Sequence, residues 1–150
     1  MIRQNKPIEI LMIEDSPSDA LVAREALEYA KVLNAVHVVD DGDEAMAFLR
    51  RQGRFADAPR PDLILLDLKL PRKSGQEVLA EIKSDQNLMH IPVVILTTSK
   101  DEEEVLKAYS HHANCYITKP VDFDNFAAVV RSIEDFWFTV VTLPPRTPDA

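Results

Sequence analysis

Cysteine is nearly absent: Cys115 is the only one in the chain, so no internal disulfide can form, and its apolar neighbours suit a small buried thiol. Basic residues are outnumbered. Seventeen lysines and arginines against 25 aspartates and glutamates leave a formal net charge of −8, which argues against a surface that neutralises nucleic-acid phosphates. The short cluster Arg50, Arg51 and Arg54 reads as a solvated helix end. No apolar run approaches membrane-spanning length, and the opening MIRQNKPIEI lacks the apolar core of a signal peptide. A cytoplasmic protein with no membrane partner is expected. Internal repeats and low-complexity tracts are missing as well.

What is present is an ordinary globular composition, 46% apolar and 28% charged over 150 residues, enough for one domain with a sizeable core. Short apolar runs punctuate the chain at Ile8–Ile13, Ala35–Val39, Leu63–Leu66, Val93–Leu96 and Cys115–Thr118. Each reads as a strand, the first and fourth as buried and Leu63–Leu66, too short for a buried helix, as covered on both faces. Helical patterns separate them. Ser16-Pro17-Ser18-Asp19 supplies an N-cap, a proline at the first helical position and an early acid. Leu21, Val22, Ala26, Tyr29, Ala30 and Leu33 follow at helical spacing, with Glu25 alone breaking the stripe.

Asp40-Asp41-Gly42 reads as a turn before a helix over 43–51, and 52–61 as a rather long loop. Ser74 and Glu77 form a capping box. Acids at 101–104 open a fourth helix, and Asp124 opens a fifth that carries Phe126, Val130, Ile133, Trp137 and Val140 to a stop at Pro144-Pro145. Strands alternating with crossovers of this length predict an α/β domain with a parallel sheet and helices on both faces. The expected domain spans 1–143, with 144–150 a flexible tail.

The residues of chemical interest all fall where a strand ends. Glu14 and Asp15 follow the first, Asp67 the third, Thr97 the fourth and Lys119 the fifth. In a doubly wound five-stranded sheet of order 2-1-3-4-5 these ends converge, because the first and third strands flank the topological switch point. Three converging carboxylates repel one another unless a cation neutralises them, and hard oxygen ligands suit Mg2+. Lys119 adds a second positive charge and Thr97 a hydroxyl. Such a site is fitted to stabilise a phosphoryl group in transfer to a carboxylate nucleophile.

IEDSP, LLDLKLP, LTTS and Lys119-Pro120, in that order, resemble the receiver domain of two-component response regulators, with its flavodoxin-like fold. The resemblance runs from about Ile8 to Val140. It implies Asp67 as phosphoacceptor, Glu14, Asp15 and the Lys69 backbone carbonyl as further metal ligands, Thr97 and Lys119 on the phosphoryl oxygens, and Tyr116 as a switch aromatic. Position 69 departs from the pattern, since relatives often carry Asn where this chain has Lys69.

The loop RQGRFADAPRPDLILLDL and the ending FWFTVVTLP further resemble single-domain regulators paired with phytochrome-type histidine kinases, whose last helix takes part in homodimerisation. Phe136, Trp137 and Phe138 cannot all be buried by one helical face, which leaves aromatic area either for a partner or for the core. The expected role is that of a signalling switch and not an enzyme, its output a changed partner or oligomeric state. A small aspartyl-nucleophile phosphatase is the catalytic alternative, but Lys69 stands where its second acid belongs. A flavodoxin-like flavin-binding module is the third reading, and Glu14-Asp15 would repel its phosphate. His111-His112 has no partner at metal spacing and reads as a helix end.

Overall fold

Apolar runs bounded by proline and acids leave the chain little choice but to bury its central strands on both sides. The computed structural model describes residues 7–28, 34–68, 70–97 and 115–118. The elements are β1 (Ile8–Ile13), α1 (Pro17–Glu28), β2 (Asn34–Val39), α2 (Gly42–Leu49), β3 (Leu63–Asp67), α3 (Gly75–Ser84), β4 (Val93–Thr97) and β5 (Cys115–Thr118). The strands form one sheet in the order β2-β1-β3-β4-β5 with every pairing parallel, as the sequence predicts. The expected helices opened by residues 101–104 and Asp124, the tail, and residues Tyr29, Ala30 and Leu33 of the first stripe lie outside the described residues.

Successive side chains of a strand point to opposite faces, and here the alternation divides the core in two. Ile10, Met12, Leu63, Leu65, Val94 and Leu96 share one cluster with the buried residues of α1. Leu11, Ile13, Ile64, Leu66, Val93 and Ile95 meet α2 and α3. Each fully buried aliphatic side chain contributes about 1.5–3 kcal/mol of transfer free energy, so both faces specify the register of β1, β3 and β4.

The face that α1 buries differs from the one the apolar stripe predicts. Ala20, Ala23, Ala26 and Leu27 lie against the sheet, whereas Leu21 is 56% exposed. The alanines let the helix axis approach the sheet closely, and that close approach fixes the azimuth, not the count of large side chains. Ser16 caps α1, its Oγ accepting the Asp19 N–H at 3.3 Å, with Pro17 in the first helical position. Helix α2 begins one residue earlier than predicted. Asp41 is its N-cap, accepting the Glu44 N–H at 2.7 Å, and Gly42 is its first residue.

The long α2–β3 connection is shortened by a 3-10 turn at Gly53–Phe55, with Phe55 packed on Phe48 at 5.3 Å and Arg54 stacked over the Phe55 ring at 4.3 Å. Asp62 then aligns the entry to β3. Its N–H donates to the Glu9 carbonyl at 2.7 Å, and its carboxylate accepts the Glu9 N–H at 2.8 Å. Among the described residues no helix is long and apolar enough to cross a membrane.

Candidate functional site

The site grows from the ends of β1 and β3, adjacent strands whose connections leave to opposite faces of the sheet. That divergence opens a crevice at their C-terminal edge. Just past β1, the Glu14 N–H still donates to the Val39 carbonyl at 2.9 Å, so the backbone ladder carries Glu14 into the crevice and leaves it 3% exposed. One Glu14 carboxylate oxygen accepts the Ser16 N–H at 3.2 Å. Asp15, the next residue, is exposed.

Asp67 is the last residue of β3, in register with Leu96 of β4 and only 6% exposed. The chain behind it turns back at once. The Gly75 N–H donates to the Leu68 carbonyl at 2.9 Å, and the capping box of α3 closes with Ser74 and Glu77 exchanging bonds of 3.2 and 2.9 Å. A Cβ at Gly75 would stand 2.3 Å from the Asp67 carbonyl oxygen. Only glycine permits α3 to start so close to the strand end. Gly75 therefore belongs to the site's framework, a role that the Ser-Gly pair alone does not reveal.

Glu14, Asp15 and Asp67 come together. One carboxylate oxygen from each lies within 4.8 Å of the other two. Two of these acids are almost wholly buried, and a buried, ionised carboxylate beside two others is costly without a neutralising cation. An all-oxygen donor set open to the solvent on the Asp15 side fits a hard divalent ion that retains some of its waters.

A second acidic group, Asp40, Asp41 and Glu44, is equally tight. Two of its three carboxylates are otherwise engaged, however: Asp41 caps α2 and meets Arg72 at 3.4 Å, and Glu44 meets Arg54 at 2.7 Å.

The remaining expected site residues divide into two groups. Thr97 is the last residue of β4, in register with Thr118 of β5, and Tyr116 lies in β5 opposite Ile95. Both strand positions are those the sequence predicts. Lys69, Lys119, Phe136, Trp137 and Phe138 lie outside the described residues.

Comparison with known proteins places this geometry in context. The model of the response regulator receiver domain matches residues 10–131. The chain is 47% identical to response regulator Rcp1 of a Synechocystis species, over 93% of this chain and 95% of that protein. It is 36% identical to a probable methanogenesis regulatory protein, FilR2, of Methanothrix harundinacea, over 91% and 88%. Among solved structures, the phosphorylated cyanobacterial phytochrome response regulator RcpA superposes with a TM-score of 0.83 at 49% identity, covering 92% of this chain and 99% of that one. The Mn2+-bound form of Rcp1 gives 0.82 at 47% identity, with coverage of 92% and 99%.

Proposed function

The chain belongs to the response regulator receiver domain family, and on that premise we propose that it is a phosphorylation-driven switch with Asp67 as its phosphoacceptor. The observation that carries this reading is the meeting of Glu14, Asp15 and Asp67 at the β1–β3 edge, their oxygens within 4.8 Å. An Asp67 carboxylate oxygen attacks the phosphorus of a kinase phosphohistidine. The new O–P bond forms as the P–N bond breaks, and the imidazole leaves with the electron pair.

Glu14, Asp15, Asp67 and the Lys69 main-chain carbonyl would hold Mg2+, which supplies positive charge to the phosphoryl oxygens. Glu14 and Asp15 keep the cluster acidic enough to retain that ion, while the Leu68–Gly75 closure holds the β3 end against α3. Lys119 and Thr97 would take the remaining phosphoryl charge, and Tyr116 would follow Thr97 as the switch aromatic. The receiver unit spans 1–143, with 144–150 as its tail.

The likeness to RcpA supports a phytochrome-type histidine kinase as the phosphoryl source. The output is a changed contact surface, with Phe136, Trp137 and Phe138 in a homodimer, and the protein acts in the cytoplasm as a signalling partner and not as a metabolic enzyme. No observation favours the phosphatase or the flavin-binding alternative. The test is transfer from an autophosphorylated phytochrome-type kinase to the full chain, with Mg2+ or with EDTA, followed by gel filtration. Mg2+-dependent loss of label from the kinase and a changed elution volume support the reading. Retention of label on every such kinase tested refutes the pairing, and an unchanged elution volume refutes the dimer output.

A further inference from the structure

Three contacts tie the β2–α2 corner to both halves of the acidic site. The Val39 carbonyl at the end of β2 accepts the Glu14 N–H at 2.9 Å. Two residues on, Asp41 divides its carboxylate: Oδ1 caps α2 at the Glu44 N–H, 2.7 Å away, and Oδ2 faces the Arg72 Nε at 3.4 Å. Next, Gly42 lies so close to the β3–α3 loop that a Cβ there would fall 2.1 Å from the Lys73 carbonyl oxygen. The loop it touches is the one that Gly75 pins to Leu68, immediately after Asp67.

Arg72 adds an independent sign that this arrangement is imposed. Its φ of 67° is in the left-handed region, which a non-glycine side chain adopts at a cost. Backbone strain of this kind persists where surrounding contacts over-determine it. Here those contacts are the Asp41 carboxylate on Arg72 itself and the seat of the next residue, Lys73, on Gly42.

We propose that Asp41 and Arg72 are positioning residues: their pairing brackets the β3–α3 loop against the β2–α2 corner and thereby sets the separation of Glu14 and Asp67 for divalent-ion binding. This rests on the reading of Glu14, Asp15 and Asp67 as the metal site. The sign of one substitution separates positioning from simple electrostatics. Removing a cation near an acidic cluster strengthens cation binding if charge alone matters. Loss of the bracket weakens it.

The test is Mn2+ titration of the full-length chain, read by the electron paramagnetic resonance of free Mn2+, beside thermal melting. Arg72→Gly is expected to raise the Mn2+ Kd about two- to fivefold, the range an exposed ion pair can control. Its melting temperature should not fall, because glycine relieves the left-handed backbone. Arg72→Lys, which keeps the cation, should restore affinity to near that of the unaltered chain. Asp41→Asn, which keeps a good N-cap, should weaken Mn2+ binding while leaving α2 folded.

Unchanged or tighter binding in Arg72→Gly overturns the proposal, as does a loss of affinity matched by a fall in melting temperature. Absence of Mn2+ binding in the unaltered chain refutes the metal site itself, a failure seen before any variant is compared.

Discussion

Gly75 and Asp67 are in direct backbone apposition: the space a Cβ on Gly75 would need is 2.3 Å from the Asp67 carbonyl oxygen and 2.4 Å from the Leu68 Cα. The acid proposed to carry the phosphoryl group is thus held from behind by the first residue of α3. Gly75→Ala must push the helix start or the strand end aside. A cost of about 1–3 kcal/mol, the usual range for overpacking, is expected in denaturant unfolding. Phosphorylation by a small phosphodonor should slow as well. A variant with native stability and native phosphorylation rate would show that the apposition does not constrain Asp67.

The capping box of α3 predicts an acid-dependent component of stability. Hydrogen bonds from the Ser74 backbone and side chain hold the Glu77 carboxyl below its ordinary 4.5. A folded pKa below the unfolded one means a contribution fully present above 4.5 and lost as pH falls through the lowered folded value. Glu77→Gln should therefore flatten the acid limb of the stability profile and leave its neutral slope unchanged. Ser74→Ala should cost about 1 kcal/mol at neutral pH. Parallel profiles for the unaltered chain and Glu77→Gln below pH 4.5 would rule the effect out.

Lys83 titrates in the opposite pH range. Burial holds its ammonium below the ordinary 10.5, while its Nζ donates to the Met89 and Ile91 carbonyls, both at 3.0 Å. The unfolded chain binds this proton more tightly than the folded one. The desolvation penalty is therefore carried in full below the folded pKa and vanishes as pH rises to 10.5. Relative to Lys83→Met, the unaltered chain should gain stability from neutral to alkaline pH in matched denaturant titrations. A pH-independent difference would contradict this.

The face buried by α1 gives a contrast in packing. Ala23 is buried against the sheet and Leu21 is 56% exposed. Ala23→Leu should destabilise by about 1–3 kcal/mol through overpacking, whereas Leu21→Ala should stay within about 0.5 kcal/mol. The reverse order would restore the helix face that the apolar stripe predicts.

Strand order and the convergence of Glu14, Asp15 and Asp67 were legible in the sequence because each strand is a short apolar run, and the first and third are closed by the acids that carry the chemistry. Two features were not legible. The azimuth of α1 depends on how closely Ala20, Ala23 and Ala26 let it approach the sheet, and a periodic pattern that weights Leu21 and Val22 more heavily points elsewhere. The roles of Gly42 and Gly75 arise from backbone that is distant along the chain, at Lys73 in one case and at Asp67 and Leu68 in the other. No local signal separates such a glycine from one in an ordinary turn, and Gly42 accordingly read as a turn although it is the first residue of α2.

The central claim is that Asp67 accepts the phosphoryl group. Incubation of the full chain with a small phosphodonor and Mg2+, with intact mass recorded for it and for Asp67→Asn, addresses that claim most directly. One phosphoryl adduct on the unaltered chain and none on the variant is the predicted result. An equal adduct on both, or none on the unaltered chain with any donor or kinase, would contradict it.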